Sequence, residues 1–209
     1  MDYLQQLTGR YPALAGCTAD IEKAFAVMVK CFSGGGKLLV AGNGGSAADA
    51  QHIVGELMKS FVKKRPPPKD FLLELEKIDA SIAENLSARL QSGLSAIALS
   101  EHSALNTALI NDIDGSITFA QQVLGYGKEG DVFMGLSTSG NAKNVIYAAA
   151  VAKAKKMPVI ALTGGGGGGL RRLADVAIIV PETETYKIQE LHLPVYHCLC
   201  LMLEDYFFQ

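Results

Sequence analysis

The sequence predicts an α/β fold in which five parallel strands form one sheet covered by helices on both faces. Short, continuous apolar runs recur along the 209 residues, and such runs are typical of strands buried on both faces of a parallel sheet. Three of these runs lead into a glycine-rich loop and then a helix, which is the order of a β–α unit. The length suits one core, so we expect a single domain over residues 1–209.

The apolar runs place the five strands near residues 37–41, 95–99, 131–136, 157–162 and 176–180. A helix over 20–33 precedes the first strand, with Asp20 as its cap and Gly34–Gly36 at its end. The last helix spans 186–207 and contains Pro194, which should kink it.

Residues 66–94 are predicted to be an inserted helical segment, because this stretch is too long for a simple connection in a compact domain. Three prolines end the preceding helix. One amphipathic helix should follow, with apolar residues near a three-to-four repeat at Phe71, Leu72, Leu75, Ile78, Ile82 and Leu86. Its apolar face needs either the core or another subunit as a partner. The core already has enough helices, so we favour a neighbouring subunit.

Composition argues against several classes of protein. The net charge of −2 gives no field that would attract nucleic acid or an anionic membrane. No apolar stretch approaches the length of a membrane span, and the first residues lack the features of a signal peptide. The four cysteines form neither a CxxC pair nor a disulfide framework. We therefore expect a cytoplasmic protein with no nucleic-acid or membrane partner.

Two loops are candidates for binding a phosphate. In "STSGN", the hydroxyls of Ser137, Thr138 and Ser139 follow a strand, and Gly140 or Asn141 should begin a helix whose free N–H groups attract anions. In "GNGGS" (42–46), the glycines allow close backbone approach. Capping alone would also explain each loop. The first could be a helix cap with solvated hydroxyls, and in the second Ser46 and Asp49 have capping-box spacing. Neither loop has the spacing of a nucleotide P-loop.

Polar residues on two helices are candidates for chemistry. His52 and Glu56 are four residues apart and share a helix face, where they could ligate a metal or transfer protons. Gln189 and His197 are about 12 Å apart along an ideal helix. His192 points away from His197, which favours a surface position or a subunit contact.

The segments that contain these residues occur in the order found in a known protein family. The segments "AGNGGSAADAQHIVGEL", "ALINDIDG", "LSTSGNAKNVI", "VIALTGGGGGG" and "IQELHLPVYH" resemble the sugar isomerase (SIS) domain family, most of all its phosphoheptose isomerases. The resemblance implies a three-layer αβα sandwich and a homotetramer with active sites between subunits. It also implies an aldose–ketose isomerase that converts sedoheptulose 7-phosphate to D-glycero-D-manno-heptose 7-phosphate through an enediol.

The resemblance assigns roles residue by residue. It implies that Glu56 and His197 are the acid–base pair, with their order in each step left open. It implies a zinc ion, our one expected cofactor, held by His52, Glu56, Gln189 and His197. The implied substrate contacts are Asn43, Gly44, Gly45, Ser46, Asn111, Asp112, Ser137, Thr138, Ser139 and Gln189.

Some positions depart from the family pattern. Ala142 replaces a further serine, and Tyr186 stands where an aspartate is common. These changes leave the particular sugar open. They also keep two non-catalytic alternatives in view, an adaptor for a bacterial replication initiator and a sugar-phosphate sensor. The related adaptor lacks counterparts of Glu56 and His197, so their presence favours the enzyme.

Overall fold

The structure, a computed structural model, describes residues 2–208. Five strands form one parallel sheet in the order β2-β1-β3-β4-β5, which confirms the predicted sheet. They are Leu38–Ala41 (β1), Ala96–Ala98 (β2), Val132–Ser137 (β3), Val159–Thr163 (β4) and Val176–Ile179 (β5).

Ten α-helices are present within residues 2–208. They are Tyr3–Arg10 (α1), Thr18–Ser33 (α2), Gly45–Met58 (α3), Lys69–Ile78 (α4), Ala80–Ser87 (α5), Ser103–Asp112 (α6), Thr118–Tyr126 (α7), Lys143–Ala154 (α8), Gly168–Arg171 (α9) and Thr185–Phe207 (α10). Short 3-10 turns lie at Pro12–Cys17, Leu99–Glu101 and Gly115–Ile117. None of the helices in this part of the chain is both long and apolar enough to cross a membrane.

Alternate strand residues build two cores, one on each face of the sheet. Leu38 and Val40 of β1 join a core with α2, α3 and α10. Leu39 and Ala41 join the opposite core with α7 and α8. All four residues of β1 are buried because successive side chains point to opposite faces. The result is the expected three-layer αβα sandwich.

One detail of the helix predictions needs correction. The first long helix begins at Thr18, so Asp20 lies in its first turn and is not its cap. Gly34 ends it as predicted. The last helix runs without a break from Thr185 to Phe207, with Pro194 buried inside it.

The inserted segment is helical, but the single helix predicted there is wrong. It is divided into α4 and α5 at Asp79, whose backbone is extended. The Asp79 side chain accepts a hydrogen bond from the Ile82 N–H at 2.9 Å and so begins α5. The two helices pack mainly on each other. We call α4 and α5 together the hairpin.

Candidate active site

The two predicted phosphate loops meet at the point in the sheet where the chain connections diverge to opposite sides. The chain runs from β1 to one side of the sheet and from β3 to the other. In open parallel sheets, ligands bind at such a point, beyond the carboxyl ends of the strands. Asn43, after β1, and Asn144, in the first turn of α8, exchange two side-chain hydrogen bonds of 2.9 Å. This amide pair joins the two loops.

The hydroxyl loop is closed by its own backbone. The Ala142 N–H donates to Ser137 Oγ at 3.4 Å, and the Asn141 N–H donates to Ser139 Oγ at 3.2 Å. Both oxygens accept these bonds, so both hydroxyl protons remain able to point toward an anion. The following helix begins at Lys143, two or three residues later than the sequence predicted.

The glycine run 164–169 packs its backbone directly against the backbone of this loop. Gly140 has φ of +67°, and a Cβ there would lie 2.0 Å from the Gly167 carbonyl oxygen. The Gly164 N–H donates to the Thr138 carbonyl at 3.0 Å. Only glycine fits such a close approach of two backbones, so the hydroxyl loop is held in place by its neighbour.

Three of the predicted catalytic and metal-binding residues meet between α3 and α10. His52 Nε2 lies 3.4 Å from His197 Nε2 and 3.5 Å from Glu56 Oε1. The other Glu56 oxygen pairs with Lys59 Nζ at 3.0 Å. Burial lowers the pKa of His197, and His52 acts in the same direction while Glu56 opposes it. The effects of burial and of His52 both favour the neutral imidazole of His197.

Two residues to which the sequence analysis gave no role in the site contact the Nδ1 side of His52, directly or through each other. The buried Tyr196 hydroxyl donates to Asp49 Oδ1 at 3.1 Å and lies 3.1 Å from His52 Nδ1. Burial raises the pKa of Asp49, and the hydrogen bond from Tyr196 opposes that shift. Burial, with the nearby Asp49, raises the pKa of Tyr196, which therefore keeps its proton.

A buried ion pair fixes the end of α3. Arg65 Nε contacts Glu204 Oε1 at 2.8 Å, and its other nitrogens donate to the carbonyls of Leu57 and Glu56. The Glu204 carboxylate also accepts the backbone N–H of Phe61 at 2.9 Å. The Phe61 ring then lies 5.3 Å from the His197 ring, centroid to centroid. Sequence reasoning missed this support because its members lie far apart in the chain.

Gln189 lies at the GNGGS loop and not among the clustered residues His52, Glu56 and His197. Its side chain covers Gly45, where an added Cβ would lie only 2.6 Å from Gln189 Nε2. Gly45 also begins α3, and neither Ser46 nor Asp49 caps it, so the capping-box alternative is wrong. Ser46 is buried, while Asn43 and Gly44 are exposed at the loop.

Asn111 and Asp112 lie at the exposed end of α6 and hydrogen-bond each other at 2.8 Å. In the described chain, no hydrogen bond joins them to the other candidate residues. His192, expected at the surface or at a subunit contact, is fully buried within the chain. Burial lowers its pKa to about 4, with the Thr163 backbone opposing the shift.

Two pairs of candidate ligand atoms have the spacing expected for binding one zinc ion. Two ligands of one tetrahedral zinc ion stand about 3.4 Å apart at ordinary bond lengths. The His52–His197 and His52–Glu56 distances agree with that value. Across residues 2–208, however, no three His, Cys, Asp or Glu side chains converge as a ligand group. His52 is the member that both pairs share.

Some signals for the missed residues were present in the sequence. Asp49, His52 and Glu56 follow a three-then-four spacing along one face of α3. Tyr196 directly precedes His197. What the spacing does not give is the pairing between Asp49 and Tyr196, which are 147 residues apart.

The fold agrees with the relatives of the chain. The SIS domain model matches residues 2–90 and 83–164, so the chain belongs to the SIS domain family. It is 41% identical over 183 residues to the phosphoheptose isomerase of Thiobacillus denitrificans (strain ATCC 25259 / T1), covering 86% of this chain and 80% of that protein. It is 38% identical over 201 residues to the phosphoheptose isomerase of Shewanella sp. (strain ANA-3), covering 95% and 89%.

A solved structure adds the same likeness in three dimensions. The phosphoheptose isomerase from Francisella tularensis superposes with a TM-score of 0.77 at 31% identity, covering 98% of this chain and 100% of that one.

Proposed function

We propose that the protein is an aldose–ketose isomerase that interconverts sedoheptulose 7-phosphate and D-glycero-D-manno-heptose 7-phosphate. The contacts of His52, on the helix that follows the GNGGS loop at the sheet's switch point, with Glu56 and with His197 carry the proposal. The names of the similar isomerases support it and favour an enzyme over an adaptor or a sensor.

The chemistry needs one carbon base and one group that moves protons between oxygens. Glu56 takes the proton from carbon 1 of the ketose, and the electron pair forms the enediol. His197 gives a proton to the oxygen at carbon 2. Return of a proton to carbon 2, with loss of the proton from the oxygen at carbon 1, completes the aldose. Ser137, Thr138 and Ser139 hold the phosphate, while Asn43, Gly44, Gly45, Ser46 and Gln189 line the sugar.

The reaction is tested by incubating the purified protein with sedoheptulose 7-phosphate in deuterated water. We expect the aldose product and deuterium at the exchanged carbon. Glu56→Gln should abolish both, while the matched variant Glu84→Gln on the exposed α5 should leave both unchanged. Absence of product and of deuterium with the unaltered protein refutes the heptose reaction. Turnover of a different phosphosugar would refute only the choice of sugar.

The same residues are proposed to hold zinc. The ligands would be His52, Glu56 and His197, with Gln189 as the fourth, and bound zinc supplies Lewis-acid polarisation of the sugar oxygens. The His52 donor spacings support the pairs with Glu56 and with His197, whereas Gln189 is included from the family resemblance alone. Elemental analysis should find zinc in the protein and in His102→Ala but not in His52→Ala. Equal zinc content in all three would contradict the assignment.

We also propose a cytoplasmic homotetramer whose active sites are completed between subunits. The exposed Asn111 and Asp112 would reach the sugar of a neighbouring site, and the hairpin would pack on another subunit. All four cysteines are free thiols, which suits a reducing compartment. Light scattering tests the assembly. Mixing Asn111→Ala with Glu56→Gln protein tests shared sites, because only hybrid sites recover activity.

A further inference from the structure

The hydroxyl of Tyr196 lies between two groups that compete for its single proton. Asp49 Oδ1 and His52 Nδ1 are each 3.1 Å from the phenol oxygen. The Tyr196 side chain is 1% exposed, so water cannot replace either contact. The other carboxylate oxygen, Asp49 Oδ2, is buried and has no hydrogen-bond partner in the described chain. Asp49 therefore depends on Tyr196 for its side-chain hydrogen bond.

The direction of these two hydrogen bonds follows from counting protons. With Asp49 ionised, its carboxylate only accepts, whereas a phenol both donates and accepts. The Tyr196 proton therefore goes to Asp49, and the phenol oxygen is left to accept. The partner that can donate to it is His52, through a proton on Nδ1. A neutral imidazole with its proton on Nδ1 carries a lone pair on Nε2.

This lone pair points into the candidate active site. His52 Nε2 is the atom that lies 3.4 Å from His197 Nε2 and 3.5 Å from Glu56 Oε1. We propose that Tyr196, held by Asp49, is a positioning residue that fixes the Nδ1–H tautomer of His52 and so presents a free Nε2 to the site. The use of that nitrogen in catalysis or zinc binding rests on the proposed function, but the tautomer does not.

The tautomer is directly measurable by nitrogen NMR of chelator-treated protein labelled with ¹⁵N-histidine. Long-range proton–nitrogen correlations distinguish a protonated from an unprotonated ring nitrogen, and His52→Gln assigns the signals. We expect the proton of His52 on Nδ1 in the unaltered protein. A proton found on Nε2 overturns the proposal without any need for a variant.

Two variants test the cause of that preference. Tyr196→Phe keeps the ring but removes the acceptor, so His52 should shift toward the Nε2–H form. Asp49→Asn should have a similar effect, because the amide can donate to the phenol oxygen and leave the phenol proton for His52 Nδ1. Tyr206→Phe, an exposed position on the same helix, should change nothing. An Nδ1–H signal that persists in both test variants overturns the role of Tyr196.

Turnover separates this inference from the proposed function. Outer-shell partners that orient a metal-ligating histidine, the role proposed for His52, typically contribute about 10–100-fold in metal affinity or activity. Tyr196→Phe should therefore lower kcat by that factor and leave KM nearly unchanged. An unaltered kcat, despite a changed tautomer, overturns the positioning role. If the tautomer is as expected and the unaltered protein does not isomerise the sugar, the proposed function fails and the tautomer assignment stands.

Discussion

The α3–α10 pair and the hairpin are both amphipathic helix pairs, but their charges lie in opposite environments. At the end of this pair, the side chains of Arg65, in the segment after α3, and Glu204, in α10, are 0% and 1% exposed. In the hairpin, the side chains of Lys77 and Glu74 are 69% and 71% exposed. Glu204 also accepts three backbone N–H groups, whereas the hairpin pair has water around it.

The comparison shows that burial decides how much stability is lost when one partner of an ion pair is removed. An exposed pair contributes about 0–1 kcal/mol because water and salt screen it. Removing one partner of a buried pair leaves an uncompensated charge, at a cost of about 3–5 kcal/mol. In this chain the buried pair holds the end of the helix that bears His52 and Glu56. The candidate site therefore shares its supporting helix with a buried ion pair.

The largest difference is expected from the same substitution made in both regions. Glu204→Gln should lower the free energy of unfolding by about 3–5 kcal/mol, because Arg65 stays charged and buried. Glu74→Gln should change it by less than about 0.5 kcal/mol. Chemical denaturation followed by circular dichroism measures both. Equal effects would mean that the buried pair has no special role.

The second difference concerns pH, because α10 buries a histidine and the hairpin contains none. His192 has a pKa of about 4 in the folded chain against an ordinary value of 6.5. The unfolded chain thus binds the extra proton first as the pH falls. The stability present above pH 6.5 should fall toward pH 4 by about 3 kcal/mol in total. His192→Phe should remove that component. A variant with the same pH dependence as the unaltered protein would contradict this burial effect.

The third prediction asks what covers the hairpin. Leu75 is partly buried and Ile82 is 48% exposed, so a partner subunit would bury further apolar area worth roughly 2–3 kcal/mol for the two. Leu75→Asp with Ile82→Asp should shift the assembly toward smaller species in light scattering. Glu76→Gln with Glu84→Gln is the matched control. A double variant that remains fully assembled but is less stable would place the hairpin's contacts within one chain.

The smallest effect is expected at the break between the two hairpin helices. Asp79→Ala removes the cap of α5 and should cost about 1 kcal/mol of local helix stability. Since the hairpin packs mainly on itself, hydrogen exchange should speed up within 80–87 while the global unfolding midpoint stays nearly constant. Asp2→Ala, which removes the cap of α1, is the comparison. A lower global midpoint for Asp79→Ala would show that the hairpin is part of the core.

Much of the fold was predictable because its signals are local. Strands buried on both faces are continuously apolar, so all five were found within one or two residues. The spacing of His52 and Glu56 placed both on one face of α3, and each candidate loop follows a strand. The break at Asp79 was missed, because the apolar repeat continues across it and only the extended backbone separates the helices.

The sequence alone determined the sheet, its covering helices and the residue types available at the carboxyl ends of the strands. Tertiary structure alone decided the partners of those residues. Asp49 meets Tyr196 across 147 residues and Arg65 meets Glu204 across 139. Both pairs depend on how α3 and the segment after it pack against α10. A periodic pattern fixes which face of a helix is apolar, but rotation and offset against another helix follow from close packing of the whole core.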